Sequence, residues 1–277
     1  MAASEKTLTI DNNTTNEGWT VVIPRRGKQR RKATKHGVLE EKHEPWTPTD
    51  SQTDPSKEAL LMQKMKRSID RIENSEFYHT LRDQVQTSIV DYINMVLGSE
   101  INMQMVIYGI GSIEIYEIPR LQLSLALLMR RDFDWIGNIE VFDPILSATE
   151  CRVFEALGCS VMSKNEHGRR EALKPTMFFM PHCEAELYNN LLQANWKLDL
   201  LKNIVLFGNS FETYEQNASL CKNSPILNSM GHIFAARGFT NAFRIQVVSD
   251  DYYFAFHDSS WHFFSPGLET ELQFINP

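Results

Sequence analysis

The chain has no apolar run of roughly 18 residues, the length a helix needs to cross a bilayer, so no membrane-spanning helix is expected. Its opening stretch, MAASEKTLTIDNNTTNEGW, lacks the apolar core of a secretory signal. Cysteine is scarce: Cys151, Cys159, Cys183 and Cys221 are all there are, and no two form a CxxC pair. That spacing argues against a zinc knuckle or a thioredoxin-like motif, and no metal is expected. Four cysteines in 277 residues do not make a disulfide framework either, and a reducing compartment is the simpler reading. Positive charge is in deficit. Lys and Arg number 28 against 35 Asp and Glu, giving a net charge of −7. Direct nucleic-acid binding across the main face is therefore not expected. What remains is ordinary globular composition, 42% hydrophobic and 23% charged, enough for one core with tails.

Residues 1–55 read as a disordered basic tail and linker, rich in Asn, Thr, Lys, Pro and Glu with little to bury. Within them Trp19 to Ile23 is a short apolar exception that suits an extended binding segment. Arg25, Arg26, Lys28, Arg30, Arg31 and Lys32 follow, six cations in eight positions. Such a run is a nuclear-import signal, a nucleic-acid patch, or only a solvated charge run. Pro45, Pro48 and Pro55 keep the next stretch open.

Residues 56–277 read as a single α/β domain. Two helices are predicted over 56–98. The first starts at Ser56 as N-cap, with Leu60, Leu61, Met65, Ile69 and Ile72 near one face. The second runs from about Ser75 to Leu97 and ends at Gly98. From Met103 strands and helices alternate: MQMVIYGIGS, IPRLQLSLALLMRR, IEVFDP, SATECRVFEALG, CSVMS, TMFFMP, CEAELYNNLLQANW, KNIVLFGNSF. Ser147 and Glu150 stand at capping-box spacing, and Gly158 closes that helix. This pattern implies a Rossmann-like, mostly parallel sheet with helices on both faces. The alternating FRIQVVSDDYYFAFHDSSWHFFS predicts antiparallel edge strands near the C-terminal end, after a helix, within 216–277.

In such sheets ligands bind outside the carboxyl ends of the strands. Gly109, Gly111 and Ser112 end the first strand and either admit a phosphate or nucleoside or make a tight turn. The third glycine of the dinucleotide fingerprint is missing. Asp143 ends the second strand, where an acid binds ribose hydroxyls or else starts an Asp-Pro turn. His182, with Cys183, follows the fourth strand. The two suit a nucleophile pair, or metal ligands completed by His167 or Cys159, or else His182 serves in polar contact or proton transfer, yet neighbours on an extended chain point to opposite sides. Asn209 and Ser210 end the fifth strand as crevice wall or turn. The charged loop Lys164 to Arg170 reads as a solvated loop or a lid. His257 and His262 read as packed or surface residues.

Taken in order, YGIGS, VFDP, the helix reaching ALGC, FMPHCEAELYNNLL and IVLFGNSF resemble the "sensitivity to red light reduced" family across residues 100–215. The tail and overall length are similar to those of plant members. The resemblance implies phytochrome B-linked red-light signalling, circadian clock input, signalling-protein partners, and residence in nucleus and cytoplasm. It names no reaction and no cofactor. Two function classes stay open: a regulatory module, or a Rossmann-like enzyme using a nucleotide-type cofactor such as S-adenosylmethionine.

Overall fold

The computed structural model describes residues 45–50, 52–220, 230–247, 249–265 and 267. The basic run from Arg25 to Lys32, the Trp19 segment and Cys221 lie outside the described residues. Helix α1 spans Pro55–Glu73. Its cap is Asp54, not Ser56: the Asp54 carboxylate accepts from Ser56 N at 2.9 Å and Lys57 N at 3.4 Å. Pro55 fits the first turn, where an N–H has no helical partner anyway. Leu61, Met65, Ser68 and Ile72 form the buried stripe, while Leu60 turns to solvent.

The single helix expected over 75–97 is three pieces: α2 Glu76–Gln84, a π-helical turn Val85–Ile89, and α3 Val90–Leu97. The reason lies in the buried spacing. Phe77, Leu81, Val85, Ile89 and Ile93 recur every fourth residue. Each such step overshoots a 3.6-residue turn by about 40°, so a regular helix would carry the stripe off the core. The wider turn absorbs the drift and keeps Val85, Ile89 and Ile93 buried.

The sheet elements follow as β1 Met103–Tyr108, α4 Glu117–Asp132, β2 Ile136–Phe142, α5 Ala148–Ala156, β3 Cys159–Val161, β4 Thr176–Met180, α6 Ala185–Ala194, α7 Leu198–Leu201, β5 Ile204–Asn209, α8 Phe211–Leu220, α9 Gly231–Ala236, β6 Thr240–Arg244, α10 Asp250–Phe256 and β7 Ser259–Phe264. The seven strands lie in the order β3-β2-β1-β4-β5-β7-β6. All neighbouring pairs from β3 to β5 are parallel, and β7 is antiparallel to both β5 and β6. The expected mostly parallel α/β sheet with antiparallel strands towards its C-terminal end is therefore present. Side chains of β1 alternate between two cores. Met103, Met105 and Ile107 share one core with Leu125 and Met129 of α4, whereas Val106 and Tyr108 share the other with Tyr188 and Leu191 of α6.

Two further sequence expectations need correction. YYFAF is helix α10, not strand. Ser249 caps it by accepting from Asp251 N at 3.2 Å, and Asp250 and Asp251 sit in its first turn, where negative charge is favourable. Its buried residues Tyr252, Ala255 and Phe256 fall at helical spacing, which outweighs the apparent alternation. The loop from Lys164 to Arg170 is not a free solvated loop. Arg170 pairs with Glu140 and, at 2.9 Å, with Glu166, and Glu166 accepts from the Tyr108 hydroxyl. Asn190 Nδ2 donates to His167 O at 3.0 Å. At Gly168 an added Cβ would stand 2.9 Å from the Leu187 carbonyl. This pinned segment occupies the β3–β4 crossover, where no helix lies.

Candidate functional site

Strand order reverses between β1 and β4, and the carboxyl ends flanking that point hold the ligand in sheets of this kind. All seven residues singled out in the sequence lie at this end: Gly109, Gly111 and Ser112 after β1, Asp143 after β2, His182 after β4, and Asn209 and Ser210 at the end of β5.

The glycine loop is bound to the protein's own groups. Gly109 and Gly111 have φ of 66° and 77°, a region that costs an L side chain. A Cβ on Gly109 would lie 2.7 Å from Cys183 Sγ, and that thiol donates to Tyr108 O at 3.2 Å. Gly111 N donates to Asp143 Oδ2 at 2.8 Å, and Ile145 N donates to Oδ1 at 3.0 Å. The Ser112 hydroxyl donates to Glu150 Oε1 at 2.6 Å, and Glu114 N reaches the same oxygen at 2.9 Å. The other Glu150 oxygen accepts from Ser147 N at 2.8 Å, completing the expected capping box. Glu150 thus joins the α5 cap to the β1–α4 loop. Sequence reading saw only the cap, because the second role depends on a residue 38 positions away.

The chemical consequence concerns anions. In a phosphate-binding loop, backbone N–H groups point at the ligand. Here Gly111 N and Glu114 N point at two carboxylates. Those carboxylates stand where a phosphate would draw its donors, and their charge repels one.

His182 takes a left-handed conformation, φ 58°, fixed by its N–H donating to Asn209 Oδ1 at 2.6 Å. Its Nε2 lies 3.2 Å from the His257 carbonyl and its Nδ1 3.4 Å from Gln122 Nε2. Burial lowers its pKa and favours the neutral ring. We assign the proton to Nε2, since a carbonyl can only accept and an amide NH₂ can only donate. The rings of His182 and His257 stand 4.6 Å apart. Gln122, buried on α4, gave no local sequence signal. Asn209 Nδ2 also donates to Cys183 O at 3.3 Å and Tyr214 Oη at 2.9 Å. Ser210 N donates to Asp258 O at 2.8 Å.

His182 and Cys183 point apart, the first to Gln122 and His257, the second to Tyr108 and Gly109, although the chain turns at His182 and is not extended there. Burial pushes the thiol of Cys183 far up, that of Cys159 to about 12 and that of Cys151 to about 11. None of these three is poised as a thiolate nucleophile. His167 lies in the pinned loop and Cys159 in β3, and among the described residues no three His, Cys, Asp or Glu gather as metal ligands. Among the same residues no helix is long and apolar enough to cross a membrane.

One further segment reaches this end. Trp46 N donates to Ser163 O at 2.7 Å, its indole Nε1 donates to Pro144 O at 3.3 Å, and its ring meets Phe142 edge-on at 5.3 Å. Thr49 N donates to Leu146 O at 2.9 Å, and Asp50 Oδ1 accepts from Ala148 N at 2.8 Å. Residues 46–50 therefore form a strap across the loops after β2 and β3.

The SRR1 domain model matches residues 81–263. The chain belongs to the SRR1 domain family. It is 54% identical over 268 residues to Protein SENSITIVITY TO RED LIGHT REDUCED 1 of Arabidopsis thaliana, covering 95% of this chain and 97% of that one. An SRR1-like protein of Mus musculus is 36% identical over 152 residues, 51% of this chain and 59% of its own. One of Drosophila melanogaster is 39% identical over 71 residues, 26% of each chain. No solved structure matches the chain. The seven candidate residues all fall inside the matched 81–263 stretch, whereas the Trp46 strap precedes it.

Proposed function

We propose that this SRR1-domain protein is a regulatory component of phytochrome B-linked red-light signalling with input to the circadian clock, acting through protein partners. The observation that carries the reading is the end-to-end similarity to the Arabidopsis relative, whose name records sensitivity to red light. The filled glycine loop supports it: the groups that would bind a nucleotide phosphate bond to Asp143 and Glu150. We place the protein in nucleus and cytoplasm, with the run from Arg25 to Lys32 serving nuclear entry and not nucleic-acid binding. The test is complementation. Arabidopsis plants lacking the relative should regain their red-light growth response and the normal period of a clock-regulated reporter. A protein that accumulates and restores neither refutes the reading. Changing the six cations to Ala should lower the nuclear fraction.

A second reading, a Rossmann-like enzyme with a nucleotide-type cofactor such as S-adenosylmethionine, is favoured by one observation. Asp143 follows β2, the neighbour of β1 at the strand-order reversal, and in sheets of this kind an acid there binds ribose hydroxyls. A panel of adenine nucleotides, nicotinamide cofactors and S-adenosylmethionine should then contain a compound that raises the melting temperature.

A further inference from the structure

We propose that the slot filled by Trp46 is a purine-nucleoside site, and that the 46–50 strap competes with the ligand for it. The inference rests on the second reading above, a nucleotide-type ligand at this end, and it specifies which ligand and what controls it.

The strap closes the place where this kind of sheet receives a base and its ribose, the loops after the second and third strands. It does so with an indole, a fused five- and six-membered bicycle like a purine. The ring lies against Phe142, an arrangement available to any flat aromatic group. Its N–H donates to the carbonyl of Pro144, a contact that an adenine amino group can also make. Asp143 stands next to this slot. Each of its carboxylate oxygens accepts one backbone N–H and keeps a second acceptor site, which suits ribose hydroxyls.

The same geometry selects among purine ligands. Gly111 N and Glu114 N are tied to the carboxylates of Asp143 and Glu150, so the loop offers negative charge where a pyrophosphate would lie. A neutral or cationic nucleoside fits, and a nucleotide is disfavoured. The strap itself is attached by few bonds. Trp46 is half-buried and Asp50 is exposed. Displacing it breaks the bonds from Trp46 N, Trp46 Nε1, Thr49 N and the Thr49 hydroxyl, and the bond from Ala148 N to Asp50.

The experiment titrates the full chain, as wild type, Trp46→Ala and Asp50→Ala, with adenosine, S-adenosylmethionine and ATP by calorimetry. Amide exchange of residues 46–50 is followed in the wild type. Emptying the slot should tighten adenosine and S-adenosylmethionine roughly tenfold or more, because ligand no longer works against strap closure. Asp50→Ala, which loosens the strap and leaves the slot intact, should give an intermediate gain and carries the test if Trp46→Ala fails to fold. Saturating ligand should speed exchange at the Trp46 and Thr49 amides. ATP should bind more weakly than adenosine. Equal binding to all three proteins would overturn the strap while leaving the second reading standing. No binding to any of them would end both. Binding that leaves 46–50 protected, or ATP binding as tightly as adenosine, would also overturn the proposal. A silent wild type beside a binding Trp46→Ala variant would establish it.

Discussion

The contact between Gly109 and Cys183 separates a packing glycine from a ligand-binding one. Gly109→Ala imposes two penalties. An L residue held at a left-handed φ costs about 1–2 kcal/mol. The new methyl, 2.7 Å from Cys183 Sγ, adds an overpacking cost of about 1–3 kcal/mol. Cys183→Ala alone removes one buried sulfur and costs about 1–2 kcal/mol. In the double variant the sulfur is gone and only the backbone penalty of Gly109→Ala remains. The two changes should therefore be non-additive, with a favourable coupling of about 1–3 kcal/mol. Urea denaturation of the four proteins measures this, provided the slopes agree. Additivity within about 0.5 kcal/mol would mean that Cys183 does not add to the need for glycine and that the left-handed φ alone sets it.

Two more outcomes follow from buried groups. Glu150→Ala strips the acceptor from Ser112 Oγ, Glu114 N and Ser147 N at once. It should cost about 3–5 kcal/mol in urea denaturation, since bonds to a charged group contribute about 1.5–3 kcal/mol each and some donors regain water. A loss under about 1 kcal/mol would contradict the joining role given to Glu150. His262 is fully buried, and burial lowers its pKa from 6.5 to about 4. The unfolded chain then binds the proton more readily than the folded one. Stability is complete above pH ~6.5 and falls as pH drops towards ~4, by on the order of 3 kcal/mol. His182, lowered too, acts in the same direction. His262→Phe should flatten the difference in unfolding free energy between pH ~7 and pH ~4.5, and identical slopes would show that His262 is not its source.

Most of the sheet was legible from local pattern. The apolar runs at β1, β2, β4 and β5 are short and bounded by turn residues, and both halves of the Ser147–Glu150 box lie within one turn. The glycine loop was legible as a place and not as a mechanism. Gly109 and Gly111 signal an unusual backbone, but whether a ligand or Cys183 sits against it depends on a side chain more than 70 positions away. Trp46 was hidden more deeply. It stands among prolines that read as open linker, and its indole bond spans 98 positions. The π-helical turn and α10 were missed for another reason. In both, the spacing of buried residues relative to the rest of the fold decided the local form, and that spacing takes meaning only once the core is known.

The position of β7 bears on how the chain is made. Synthesis delivers β5, then β6, and only afterwards the strand that lies between them. Until residues 259–264 emerge, β6 lacks its partner strand and β5 presents a bare edge with Val205 and Phe207 beside it. Such an edge invites pairing with another chain. A message cut anywhere between 210 and 258 would therefore yield a product that retains all the parallel strands and glycine-loop residues yet tends to aggregate. The nascent protein has reason to be shielded for as long as the ribosome takes to reach Phe264.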